Sequence, residues 1–437
     1  MVYILRERVP NVGGRMRIRS ETARRARARS GHRTDLTILL LVLAVTLLVG
    51  PLLPAATAAP AAGASGPVVK VGMIAPITSP TAANPDQGEA FKAAVAAFNK
   101  RGGLGTGHSR MEAVVCDTKG DTNGEVDCAR KMVDEGVVAT INDLVYNNPS
   151  GVSDVLQNAG IPRVGSGTTG TETAASLTFP LSTGIVGAYQ ADAVGFKDRG
   201  KTKVVLVRTD AATGAGFKGF IGPPFKKAGV DVVGDVAIAT GSTDYAPYVA
   251  DIQRSNPDAV LLAIDDTAAA QLIAAMQQLD YKVLLGGHPG TFPLDVLRKF
   301  KGTTKGALLA ESFPFPSQNN VKHFPGLAQF FADMKASKKA ILDPKKIQPT
   351  SLYPWISTLG FVNATKSLDS FTKETVVEAL KTVKDVDLMG LAPPWTPSTP
   401  GFSFFGSVSN HFVYISRFDG TKVVTETEPI DVSQYFK

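Results

Sequence analysis

The 437 residues carry 46 basic and 39 acidic side chains, a net charge of +7, with 44% hydrophobic residues and only two cysteines. Residues 1–35 hold ten arginines and three acids, so they account for the whole excess and leave 36 basic against 36 acidic residues beyond them. That balance excludes a basic nucleic-acid-binding surface, and the remaining length is too great for one ordinary core, which points to two domains.

The basic stretch is followed by the uncharged run LTILLLVLAVTLLV at Leu36–Val49 and the small residues of PLLPAATAAP at Pro51–Pro60. A basic segment, a short apolar core and an Ala-x-Ala site are the marks of a secretory signal, with Ala56-Thr57-Ala58 as the expected cleavage point. The apolar run is short for a bilayer crossing, which takes about 20 residues. An uncleaved anchor is the alternative, and Met16 is an alternative start.

Val68–Ala75 (VVKVGMIA) is an apolar strand, and Asp86–Arg101 places Phe91, Val95 and Phe98 at helical spacing before Gly102-Gly103 stops the helix. A strand at Met111–Cys116, a helix near Glu125–Asp134, a strand at Val137–Ile141, a helix over Ser150–Asn158 and a strand at Pro162–Gly165 continue the alternation. Cys116 ends one of these strands and Cys128 lies early in the following helix. In an exported chain they are expected to form a disulfide, with two buried free thiols as the alternative. With no histidine nearby they make a poor zinc site.

Strand–helix units of this length imply parallel sheets covered by helices on both faces. The pattern then repeats. FNKRGG, the strand MEAVVCD and DEGVVATIND are answered by FKKAGV, the strand VDVVGDVAI and SNPDAVLLAIDD. Both halves reach a strand ending in Ile and two polar residues, Ile141-Asn142-Asp143 and Ile264-Asp265-Asp266. A duplicated topology with two open sheets offers one cleft between the carboxyl ends of their strands.

The ordered set VKVGMIAPI, FNKRGGLGTG, DEGVVATIN and NAGIPRVGSG resembles the type I periplasmic binding proteins of ABC importers, in the branch serving branched-chain amino acids and amides. The likeness runs from about Val68 to Phe418. It implies an α/β fold of two Rossmann-like lobes with parallel sheets, joined by three crossovers, with the ligand cleft between them. The implied boundaries are a signal over 1–58, a linker over 59–67, lobe 1 over 68–184 and 315–395, and lobe 2 over 185–314. Residues 396–437 then form a C-terminal segment packing mainly on lobe 2. In it, Asn410–Phe418 and Thr421–Thr425 flank the Asp419-Gly420 turn of a hairpin. Crossovers are expected near Ser182–Val186, near Phe313–Pro316 and between Leu391 and Phe405.

The resemblance also bears on Gly214, Gly216 and Gly219, which spell G-x-G-x-x-G after the strand Lys203–Val207. In a dinucleotide fold the first glycine follows the strand almost at once, whereas here Arg208–Thr213 intervene. The stretch corresponds to the first strand–helix loop of the second lobe, where glycines let the chain enter a helix.

Carried over residue by residue, the family's ligand loops fall in lobe 1 on Thr81 and Gln87, on Tyr146 and Asn147, and on Gly167, Thr168 and Thr169. The last three suit a ligand carboxylate. In lobe 2 they fall on Thr213, Asp265, Asp266 and His288, and back in lobe 1 Tyr353, with Trp355 beside it, matches an aromatic wall. Amino-acid-binding members commonly place an acid near the position of His288 and an aromatic at Thr213, so this chain departs from them at both. Asp265 or Asp266 supplies the missing charge or merely caps the next helix. Tyr353 and Trp355, placed just before an apolar helix, are wall or core.

No G-x-S-x-G elbow and no H-E-x-x-H occurs. The histidines, His32, His108, His288, His323 and His411, show no catalytic spacing, and no enzyme, cofactor or metal site is expected. The expected partners are a small-molecule ligand and a membrane permease, with the chain acting as a monomer. A membrane-anchored sensor of the same fold, or less readily a secreted hydrolase, is the competing reading.

Overall fold

The computed structural model describes residues 63–79, 83–165, 175–210, 217–345, 347–402 and 405–437. The signal segment, Thr81, the Gly167–Thr169 loop and Thr213 lie outside them. Among the described residues no helix is long and apolar enough to cross a membrane.

The first lobe is built on strands β1 (Val68–Ala75), β2 (Arg110–Asp117), β3 (Thr140–Ile141), β4 (Arg163–Val164) and β5 (Thr178–Phe179), ordered β2-β1-β3-β4-β5 and all parallel. Helices α1 (Pro85–Lys100), α2 (Thr122–Asp134) and α3 (Pro149–Asn158) link them. The sequence predicts a strand over Val137–Ile141, but only Thr140–Ile141 takes up the ladder. The preceding residues still pair with β1, through Val138 N–H to Lys70 O at 3.0 Å and Gly72 N–H to Ala139 O at 2.9 Å. α1 ends as its glycines predict. Gly102 (φ 113°) and Gly103 (φ 71°) turn left-handed, and their N–H groups donate to Asn99 O and Phe98 O, the two bonds of a Schellman cap.

The second lobe follows. Its elements are α4 (Gly184–Asp198), β6 (Lys203–Thr209), α5 (Phe217–Lys227), β7 (Asp231–Ile238), α6 (Ala246–Arg254), β8 (Ala259–Ala263) and α7 (Asp266–Gln278), then β9 (Leu284–Gly287), α8 (Leu294–Lys299), α9 (Lys301–Thr304) and β10 (Leu308–Glu311). The chain then returns to lobe 1 for α10 (Gly326–Ala336), α11 (Leu352–Ala364) and α12 (Lys373–Thr382) before the predicted hairpin, β11 (Phe412–Phe418) and β12 (Val423–Thr425). The hairpin extends the second sheet antiparallel to β10, giving the order β12-β11-β10-β9-β8-β6-β7, with β13 (Ile430–Asp431) on β11. Asp419 organises its turn by accepting from Thr421 N–H and Lys422 N–H, which holds its carboxyl down to about 2.

The cores match this plan. Lobe 1 packs α1, α10 and α11 around Phe91, Phe98, Phe330 and Trp355 on one face of its sheet, and α2 and α3 around Met132, Val152 and Leu156 on the other. Lobe 2 likewise buries apolar residues on both faces. Gly286 lets α4 lie close to β9, since a Cβ there would meet the Phe196 ring at 2.4 Å.

Asp192 of α4 lies in that packing, fully buried, with no hydrogen-bond partner for either carboxyl oxygen among the described residues. Burial pushes its carboxyl well above the ordinary range, so it is held as the neutral acid. A carboxyl whose folded value is raised costs nothing below its unfolded value, and costs stability as pH rises towards the folded one. Asp192→Leu is therefore expected to stabilise the protein by about 1–3 kcal/mol at neutral pH, with the gain shrinking towards pH ~4. Denaturant melts at the two pH values check this, and a pH-independent effect would count against it.

Candidate ligand cleft

The carboxyl ends of the two sheets' parallel strands face a cleft of about 980 Å³. Lobe 1 contributes Asn84, Asp86 and Gln87 from the start of α1, Asn142, Leu144 and Tyr146 after β3, and Tyr353 and Ser357 from α11. Lobe 2 contributes Ile185 at the start of α4, Asp265 and Asp266 after β8, His288 after β9, and Glu311 at the end of β10.

Local backbone chemistry sets these side chains. Asn142 is left-handed (φ 55°), a conformation asparagine tolerates better than most residues, and donates from Nδ2 to Gln87 Oε1 at 3.0 Å. Beside it, the fully buried Asp143 accepts from Ile74 N–H, Thr140 Oγ1 and Arg163 Nε at 3.0, 2.6 and 3.1 Å. Buried Glu125 of α2 then gathers the loop that follows, accepting from Tyr146 N–H at 2.9 Å and Asn148 N–H at 2.6 Å. Asp86 is fixed by Thr350 Oγ1 and Ser351 Oγ.

Of the predicted residues within the described chain, Gln87, Tyr146, Asp265, Asp266, His288 and Tyr353 come together in this cleft. Asn147 does not line it, since its amide is engaged by Gly120 O at 3.1 Å and Glu125 Oε1 at 3.3 Å. Asp265 is the N-cap of α7, accepting from Ala268 N–H at 2.8 Å, while its exposed side chain also borders the cleft. Tyr353 and Trp355 lie inside a helix rather than before it. They divide the roles that the sequence left open, for Tyr353 faces the cleft whereas Trp355 is core, its Nε1 donating to Asp333 Oδ2 at 2.8 Å.

The sequence reading missed Glu311. It ends the apolar strand LLAE, and a polar residue at the carboxyl end of a parallel strand faces the crevice, which was the available signal. Glu311 is 7% exposed. Its Oε2 accepts from the Tyr353 hydroxyl at 2.6 Å and lies against His288 Nε2, and its Oε1 accepts from Ser312 N–H at 2.5 Å. Burial pushes this carboxyl up, but the His288 ring and the hydrogen bonds from His288, Tyr353 and Ser312 outweigh it and hold it below the usual carboxylate range. Burial, and then Glu311 itself, push the Tyr353 phenol well above its ordinary value, so it is a neutral donor. Tyr353 reaches Glu311 from the opposite lobe.

The periplasmic binding protein family model matches residues 68–402. The chain belongs to that family. The binding protein is 28% identical over 205 residues to the Leu/Ile/Val-binding protein BraC3 of Rhizobium johnstonii, and 26% identical over 197 residues to the Leu/Ile/Val/Thr-binding protein of Salmonella typhimurium. Each match covers 44% of this chain and 53% of the relative, about half its length. In fold it is similar to a substrate-binding protein of an ABC transporter from Aeropyrum pernix, with a TM-score of 0.70 at 16% identity over 85% of this chain and 99% of the other. A Rhodopseudomonas palustris solute-binding protein in complex with 4-hydroxybenzoate gives a TM-score of 0.65 at 19% identity, over 83% and 97%. The family and these structures are substrate-binding proteins, not enzymes, as is expected of this binding protein.

Proposed function

We propose that this chain is an exported solute-binding protein that captures a small polar solute, such as an amino acid, an amide or an organic acid, and presents it to the membrane permease of an ABC importer. One observation carries this reading: the cleft walls come from two separate lobes, and Tyr353 of one bonds Glu311 of the other. A solute held by both walls stabilises the closed arrangement by its differential affinity for it. Thr81, Thr169, Thr213 and the cleft-lining Asp265 and Asp266 are the further contacts proposed, with export through the segment preceding Ala59.

A thermal-shift screen of the chain from Ala59 onward, against amino acids, amides, aromatic acids, amines and sugars, tests it. A ligand that binds only the folded form at 100 times its Kd adds about 2.7 kcal/mol of stability, so a hit is readable without knowing the chemistry. The expected result is a saturable rise in melting temperature with one class, accompanied by compaction in solution scattering. A folded protein that answers to none of them would sink the reading.

A further inference from the structure

We infer that Tyr353 is a positioning residue of the cleft: its hydroxyl is a strut that joins the two lobes through the chain's own groups and sets how wide the cleft stands. This rests on the solute-binding reading above and goes beyond it, by naming what holds the two walls at their spacing.

The bond itself crosses from lobe to lobe. The Tyr353 hydroxyl, on α11 of lobe 1, donates to Glu311 Oε2 at 2.6 Å and lies 3.1 Å from His288 Nε2, so it meets two residues of lobe 2 at once. On that side His288 and Glu311 are paired with each other, and Glu311 Oε1 accepts from Ser312 N–H at 2.5 Å. The acceptor is thus a carboxylate already seated within its own lobe, and a hydrogen bond to an ionised group is about twice as strong as one between neutral partners. Glu311 is buried, so water competes poorly for its oxygens.

Both ends of the strut are fixed before they meet. Thr350 Oγ1 and Ser351 Oγ, just ahead of Tyr353, donate to Asp86 of α1 at 3.0 and 2.8 Å, and Trp355, two residues on, donates to Asp333 of α10 at 2.8 Å. His288 Nδ1 accepts from Gly290 N–H at 3.0 Å. The short turns beside the two ends, Pro289–Thr291 of lobe 2 and Pro349–Ser351 of lobe 1, pack against each other. Groups held in this way lose little freedom when they bond. The hydroxyl of Tyr353 is spent on the opposite lobe, and its ring is what it leaves to a solute. A strut of this kind raises the share of molecules already closed, and the apparent affinity rises with that share.

The test is a pulsed-EPR distance between nitroxides on Lys366→Cys of lobe 1 and Lys282→Cys of lobe 2, both exposed, in the chain from Ala59 onward. It is measured on the otherwise wild-type chain, on Tyr353→Phe, on Glu311→Gln, on the two combined, and on Tyr281→Phe, which removes a hydroxyl away from the cleft. Tyr353→Phe keeps the ring and leaves His288 paired with Glu311, and is expected to raise the ratio of open to closed molecules about tenfold or more. Glu311→Gln is expected to open the chain that keeps Tyr353 and to add nothing to Tyr353→Phe, because the bond it weakens is already gone. Tyr281→Phe leaves the distance unchanged. A wild-type distance in Tyr353→Phe overturns the strut, as does further opening in the combined variant or an equal opening by Tyr281→Phe. Should Glu311→Gln fail to fold, Tyr353→Phe against Tyr281→Phe decides. No solute enters the measurement, so its failure is read apart from that of the thermal-shift screen.

Discussion

Asp143→Ala is expected to cost about 3–5 kcal/mol, a large share of the 5–15 kcal/mol by which a folded domain is ordinarily stable. The substitution removes the only ion-pair partner of Arg163 among the described residues, and Arg163 is itself buried, with Nη1 on Ser153 Oγ at 2.8 Å. It also strands Ile74 N–H and Thr140 Oγ1, which donate to the same carboxylate. Three buried groups then lack an acceptor, and the guanidinium keeps a charge it cannot shed. The double variant Asp143→Ala with Arg163→Met should recover part of the loss, because replacing both members of a buried pair by apolar groups is far milder than removing one. Urea melts check both, with the midpoint falling at unchanged slope. A loss below about 1 kcal/mol for the single variant would contradict a dry, closed network. Asn142 and Leu144 flank Asp143 and line the cleft, so the variant should also bind solute poorly before it unfolds.

The second large effect is covalent. Cys116 and Cys128 are joined, as the sequence predicts, with a separation of 12 residues. Replacing both by alanine is expected to cost about 3 kcal/mol by the loop-closure argument. The bridge ties edge strand β2 to α2, three residues beyond the Glu125 that holds the backbone of Tyr146 and Asn148. Loss of the bridge should therefore also loosen the Tyr146 lip of the cleft. Thermal melts with and without reductant, with hydrogen exchange at residues 146–148, report the two consequences separately. A melting temperature indifferent to reductant would refute the first.

Much of this was legible because it is local. The stop at Gly102-Gly103, the Asp419-Gly420 turn and the alternation of strands and helices depend on neighbours a few residues away. The pairing of Cys116 with Cys128 was expected because both lie in the exported part of the chain, twelve residues apart. The cleft was legible only in outline. Gln87, Tyr146, Asp265, Asp266 and His288 could be placed because the resemblance puts the family's ligand loops at the strand ends where they lie. Glu311 and Tyr353 meet across 42 residues, on different lobes, at a distance set by the crossovers rather than by any periodicity. Asn147 shows the opposite failure: it has the right residue type on the right loop, but its amide is spent on Glu125 and Gly120. The division of Tyr353 from Trp355 required the helix phase, which an apolar run such as LYPWISTLGFVNA does not disclose by itself.

Glu311 and Ser312 are consecutive residues. Ser312 Oγ accepts from Thr183 N–H at 2.8 Å and lies 3.3 Å from Ser182 Oγ, so it fastens the strand leaving lobe 2 to the strand entering it. One peptide bond thus separates a cleft-facing carboxylate from the clasp between the two connecting strands. A contact made at Glu311 would therefore lie one residue from the link between the two lobes.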